Sequence, residues 1–435
     1  NNTQIKEILT NNGTAWTDLS AGLQIAQMYC LGTSATNANM NISGWQDNGT
    51  NRVTSGVWQQ VIGGDGMECL IDYTTTNIQY GELYYGRIYR TANNWGAATQ
   101  IVNSGGTGVN ANGNWVTPYI IHPTTNATLL VGKSVVYRST NSGTSWTALG
   151  ALTGGSGNVV SIAYAPSNTN YIYCAKSNAM YVSTNGGTSF TNVTTGLSGG
   201  SITDIAVSSS NPLRVYVTIS GYTSGSKVFL STNAGSSWTN YSTGLPNLPA
   251  NAIVYQTSTP DGVYVGTDVG VYYRDNTMGA WVNYFTGLPN VIVKELEIQY
   301  SSGKIRAATY GRGMWESNLY SSGSSAPMAD FTSNYTSGCP GMCFNFTDLS
   351  AFNPTSWAWT FTGAVPSSST VQNPTNICYA SPGVYAVTLV ATNVNGNSTN
   401  TKTAYITIQS AGALPFTEGF QSLPFLPTNW LQKDI

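Results

Sequence analysis

Runs of four to seven β-branched and aromatic residues alternate along this chain with short clusters of Gly, Asn, Ser and Thr. Ile202 to Val207 and Arg214 to Ile219 are two such runs, and the pattern predicts strands joined by tight turns. One turn phrase recurs: Ser139-Thr-Asn-Ser-Gly-Thr-Ser-Trp146, Ser183-Thr-Asn-Gly-Gly-Thr-Ser-Phe190 and Ser231-Thr-Asn-Ala-Gly-Ser-Ser-Trp238, spaced about 45 residues apart. Weaker copies lie at Leu9 to Trp16 and Arg274 to Trp281, and Thr-Gly-Leu recurs at Leu197, Leu245 and Leu288. Each copy combines a strand-like run, a Gly/Asn turn and an aromatic residue able to pack back over that turn. Two further short strands precede each copy, so one repeat supplies four antiparallel strands, the content of a propeller blade.

Full repeats start near residues 24, 65, 113, 156, 201 and 247. Residues 291–320 hold strands for one more blade, which the opening segment 1–23 completes by pairing last with first. The expectation is an all-β chain whose residues 1–320 form a seven-bladed β-propeller, with six or eight blades as alternatives. Closure of that kind removes exposed strand edges.

After Tyr320 the small, uncharged stretch Ser-Ser-Gly-Ser-Ser-Ala-Pro reads as a linker over 321–328. From 329 to 409, turn-separated runs such as Ser356 to Thr362 and Val384 to Thr392 predict an Ig-like β-sandwich.

Two resemblances follow from these residues. The turn phrase resembles the Asp box of sialidase-like and VPS10-like propellers, with Asn141, Asn185 and Asn233 in place of the aspartate, and in those families the box is structural. Phe344-Asn-Phe-Thr-Asp-Leu-Ser350, Ser356-Trp-Ala-Trp-Thr-Phe361 and Pro382-Gly-Val-Tyr-Ala-Val-Thr-Leu389 resemble the motifs of PKD domains, in order. The acids of the usual PKD turn are missing around Thr360, Thr362 and Ala364, which argues against calcium there. The PKD topology brings Cys339, Cys343 and Cys378 together and implies one disulfide, with Cys343–Cys378 the favoured pair. Residues 410–435, with Phe420 and Trp430, resemble the start of an adhesin-type jelly roll, as in exported Bacteroidetes surface proteins that carry a C-terminal sorting signal; a larger parent polypeptide is therefore expected.

Composition narrows the functions. Charged residues make up only 8% of the chain, against about 25% in an average domain, and the net charge is −2. With no basic cluster, nucleic acid and anionic membrane are not expected partners. No run approaches the ~20 apolar residues of a membrane span. The six cysteines never fall in paired CxxC spacing, so no metal or other cofactor is expected. The single histidine, His122, occupies a turn position filled by Asp72, Ala165 and Ser208 in other repeats, which sets aside Ser-His-Asp and Cys-His catalysis.

In a four-stranded blade the second-to-third loops and the blade-to-blade loops share one face. That face collects Asp47, Arg87, Asp268, Tyr310 and Arg312, with Asp65 and Glu68 in the first blade-to-blade connection and Glu82 in the next blade. One reading is a polar cluster at the channel mouth that binds a glycan or a surface protein. The competing reading, which takes precedence, is that Gln46-Asp-Asn-Gly49 and Gly63-Gly-Asp-Gly66 are turns spending their polar atoms on their own backbone. Paired carboxylates among Asp47, Asp65, Glu68 and Glu82 would be the place for glycoside hydrolysis. A sialidase is disfavoured because Arg87-Ile-Tyr is the nearest approach to its R-I-P motif. The tryptophans and tyrosines are candidates for lining a sugar-binding face, but blade packing consumes aromatics first and the core is their default assignment. The expectation is an extracellular or cell-surface binding and adhesion protein with the PKD domain as spacer. A propeller glycosidase and a structural subunit of an extracellular assembly are the alternatives.

Overall fold

A computed structural model describes residues 16–18, 26–103, 107–109, 111–320, 326–327, 329–350, 354–393 and 396–410. The jelly-roll start expected over 410–435 and most of the expected linker lie outside these residues. The chain divides into two compact units, 1–320 and 321–435.

The first unit holds seven four-stranded antiparallel sheets. We number these blades 1 to 7: residues 28–62, 66–100, 119–148, 159–192, 202–240, 250–283 and 293–318, the last completed by Trp16–Asp18. Within blades 1 to 6 the strands are called a to d in chain order. Blade 7 takes its strands a to c from residues 293–318 and its outermost strand from the start of the chain, Trp16 pairing with Ser317 and Asp18 with Trp315. The first strands of successive blades touch each other all the way round, blade 7 meeting blade 1, so they form the inner ring. Tyr, Val, Ile and Leu side chains fill the wedges between neighbouring blades, Tyr173, Val217 and Phe229 between blades 4 and 5 for example.

The repeated turn phrase joins strands c and d. In blade 3 the Ser139 hydroxyl donates to Asn141 Oδ1 at 2.9 Å and accepts the Gly143 N–H at 2.8 Å, while Asn141 Oδ1 accepts the Ser145 N–H. The same bonds recur at Ser183/Asn185/Gly187/Ser189 and at Ser231/Asn233/Gly235/Ser237. The closing tryptophan does more than cover its own turn. Trp146 Nε1 donates to Ile101 O at the end of blade 2, Trp238 Nε1 to Val193 O at the end of blade 4, and Trp281 Nε1 to Tyr241 O at the end of blade 5. Each is a latch onto the preceding blade; Phe190, lacking an N–H, leaves blade 4 without one. His122 follows the turn logic of its repeat position: Nδ1 accepts the N–H groups of Thr124 and Thr125, as Asp72 Oδ1 accepts that of Thr74.

The second unit is a β-sandwich. A five-stranded sheet, built on the long hairpin Gly383–Asn393 and Gly396–Ile408, lies with three- and two-stranded sheets around Phe331, Phe344, Phe346, Trp359, Phe361 and Leu389. Cys343 and Cys378 face each other on paired strands and form a disulfide; Cys339 is free and exposed.

Candidate functional site

The face formed by the b-to-c loops and the blade-to-blade loops carries an aromatic cluster over blades 1 to 3 and 7. Tyr84 and Trp115 stack with ring centres 5.4 Å apart and planes 8° from parallel, and Tyr85 meets Trp115 edge-on at 5.3 Å. The Arg87 guanidinium sits 4.4 Å from the centre of the Tyr84 ring. Trp115 is 38% exposed and Tyr85 43%. The Trp115 indole lies within electrostatic reach of the Tyr29 hydroxyl. The Tyr29 ring lies 5.6 Å from Tyr310, and both phenols donate to Gln46 Oε1. A continuous band of rings therefore runs from blade 3 across blades 2 and 1 to blade 7.

Tyr85 adopts a left-handed backbone, φ 64°, unfavourable for a bulky side chain. Its surroundings enforce it. The Tyr85 carbonyl accepts the Gly113 N–H at 3.0 Å, the Asn103 amide at 3.2 Å and the Lys133 ammonium at 3.1 Å, and the Tyr85 N–H donates to Trp115 O. Lys133 also reaches Gly86 O, and a β-carbon at Gly86 would stand 1.8 Å from Lys133 Nζ, so only glycine fits there. Burial lowers the Lys133 ammonium to about 8, against the pull of Glu82.

Beside the rings, Asp47, exposed and left-handed at φ 61°, donates its N–H to Asp65 Oδ1 at 2.6 Å. These two acids, Arg87 and Tyr310 are thus grouped near the aromatic band. Arg312 is exposed in the b-to-c loop of blade 7, and its carbonyl accepts from Trp315 Nε1. Asp268 accepts from Asn251 of its own blade. Glu82 and Glu68 depart from the expected surface cluster. Glu82 is fully buried, its carboxylate accepting N–H groups from Gly86, Thr117 and Glu68, which makes it the pin between blades 2 and 3. Glu68 points into the inner ring.

That ring has its own chemistry. Strand a is terminal in every sheet, so its inner edge has no strand to pair with, and the free N–H groups need acceptors. Carboxylates of adjacent blades supply them. Glu295 and Glu297 of blade 7 accept from Leu31 and Thr33 N–H of blade 1. Asp204 of blade 5 accepts from Ile253 N–H of blade 6 and from the Ser161 hydroxyl of blade 4, both at 2.9 Å. β-Bulges between Met28 and Cys30, Gly66 and Cys69, Ile202 and Asp204, and Val293 and Glu295 shift the alternation, re-aiming Cys30, Glu68, Asp204 and Glu295 inward. Burial raises these acids: Asp204 to about 6 despite its hydrogen bonds, Glu68 to about 7 and Glu297 to about 8.

Residues 324–408 match the PKD domain family. No curated protein matches the chain in sequence. Among solved structures it is similar to an ancestral GH74 enzyme, at 14% identity and a TM-score of 0.55 over 89% of this chain and 63% of that one. It is similar also to YCF48 from Cyanidioschyzon merolae, at 11% identity and 0.52 over 70% of this chain and 98% of that one. A third is the extracellular domain of the hybrid two-component system BT3049 from B. thetaiotaomicron, at 14% identity and 0.53 over 90% of this chain and 56% of that one. The chain thus spans less than two thirds of the GH74 enzyme's length. At these identities the likeness is one of fold: a β-propeller, here followed by a PKD domain.

Proposed function

We propose that this chain is a binding module of a secreted or cell-surface protein, whose propeller takes a carbohydrate on the face bearing Trp115 and Tyr85. The observation that carries the reading is the exposed aromatic platform, held rigid from beneath by Lys133, Gly113 and the Tyr84 stack. A pyranose ring presents a flat array of C–H bonds that packs on an indole or phenol face, while its hydroxyls need directional partners at the rim. Asp47, Asp65, Arg87 and Tyr310 are the partners this reading assigns to them. A platform held in place before the ligand arrives loses little entropy on binding. A disulfide in the second unit and few charged residues fit an extracellular setting.

The test is a glycan array followed by calorimetric titration of the best oligosaccharide against the whole chain, Trp115→Ala and the Asp47→Ala/Asp65→Ala double variant. At least a tenfold loss of affinity, about 1.4 kcal/mol, is expected for Trp115→Ala with the fold intact. No binding by the unaltered chain, or binding unchanged in Trp115→Ala, would overturn the proposal. Turnover of the bound sugar, abolished by Asp65→Asn, would replace it with glycoside hydrolysis.

A further inference from the structure

Below the aromatic band, in the inner ring, three blades deliver one ligand-type atom each to a single point. Cys30 Sγ of blade 1, a Glu68 carboxylate oxygen of blade 2 and a Glu295 carboxylate oxygen of blade 7 all lie within 4.8 Å of one another. We infer that this trio is a divalent-cation site with the donor preference of zinc.

The arrangement goes beyond a gathering of acids. Cys30 is 6% exposed, and its thiol points at the Glu68 carboxyl, with no hydrogen bond outside the trio among the described residues. A thiol filling a core gap would face apolar atoms, as Cys174 does among Leu130, Ile162 and Tyr181. Each carboxylate also has an oxygen committed elsewhere, Glu295 to Leu31 N–H and Glu68 to Cys69 N–H, so the side chains are anchored while the second oxygen is free to ligate. Two further charges that act on Glu295, those of Glu297 and Asp204, are negative as well, Glu297 being offset in part by Arg306. Zinc takes thiolate and carboxylate as ligands, so a dication entering the trio displaces their protons and its charge holds the three anionic groups together. Around tetrahedral zinc, sulfur and oxygen ligands stand about 3.4–3.6 Å apart. The trio therefore needs a contraction of roughly 1 Å, within the reach of two Glu side chains. One sulfur with two oxygens suits a borderline-soft ion, whereas calcium and magnesium select oxygen alone. The alternative, that these acids only cap the free edge of blade 1, requires Glu295 but gives Cys30 no part.

The experiment uses the whole chain, stripped with chelator and titrated with zinc chloride, then with cobalt chloride, beside Cys30→Ser, Glu295→Gln and the control Cys174→Ser. Gln keeps an oxygen for Leu31 N–H, so folding is preserved. One zinc per chain is expected, with a sulfur-to-cobalt charge-transfer band in the near ultraviolet, retained in Cys174→Ser and lost in Cys30→Ser. Zinc affinity should fall at least tenfold in both site variants, and excess calcium should not compete. Zinc binding well below one per chain, cobalt binding without the band, or equal affinity in Cys30→Ser would each overturn the inference. None of these readings depends on a saccharide being bound.

Discussion

Tyr85 carries a β-carbon into a backbone region that costs about 1 kcal/mol for any residue but glycine, and its carbonyl has three donors to keep it there. If that strain serves ligand binding, Tyr85→Gly separates stability from function. The variant should hold its stability within about 1 kcal/mol of the parent, since relief of strain offsets the lost ring contact. Its affinity for the saccharide should drop at least about fivefold. Paired thermal melts and titrations read this directly, and undiminished affinity would make the strain a purely structural matter. This part of the site was not legible in the sequence. Charge singles out Asp47, Asp65 and Arg87 in the sequence, whereas core is the default for every tyrosine and tryptophan of such a fold, Tyr84, Tyr85 and Trp115 included. The available signal is positional: Tyr84-Tyr85-Gly86 fills a three-residue b-to-c turn, and Trp115 stands in the 18-residue connection 101–118. Bulky aromatics in turns have no wedge to fill.

Blades are held to one another by single hydrogen bonds as well as by packing, and their removal is measurable. Trp146→Phe keeps the ring but leaves the Ile101 carbonyl without its partner in a buried setting; a loss of about 1–2 kcal/mol is expected by chemical denaturation. The equivalent change at Trp281 should cost less, because the Tyr241 carbonyl keeps the Arg274 guanidinium as a donor, while Phe190 shows that one latch can be dispensed with. Asp204→Ala should cost more, about 2–3 kcal/mol, because it strands the Ile253 N–H and the Ser161 hydroxyl on two different blades. The four-stranded repeat and its boundaries could be read from turn chemistry and alternation. The inner-ring carboxylates could not, because bulges at the start of strand a break the period of two on which side-chain direction is read.

The whole ring carries acids whose protons the folded state grips more tightly than the unfolded chain, Asp204 to about 6 and Glu297 to about 8. The stability from this is complete below about pH 4 and is lost as pH rises through 6 to 8. In chelator the propeller should therefore be more stable at pH 5 than at pH 8, by on the order of 2 kcal/mol in chemical denaturation. Asp204→Asn should flatten the lower part of that slope. A flat profile in the parent would show that these carboxyls stay ionised. Removing residues 1–18 tests closure itself: strand Gly313–Asn318 loses its outer partner, and the shortened chain should melt several degrees lower and self-associate on light scattering.

The tryptophan latches have a direction: each reaches from a later blade to the one before it. A chain emerging N-terminus first from a ribosome can therefore fasten blades 3, 5 and 6 as each is completed, using only what has already appeared. Blade 7 reverses that order. Its outer strand, Trp16–Asp18, is made before blades 1 to 6, and its partner, Gly313–Asn318, arrives some three hundred residues later. The earliest strand must wait unpaired through the synthesis of all the others, so the circle is the last thing to form, and the interval before it closes is when a helper that shields a bare strand has most to do.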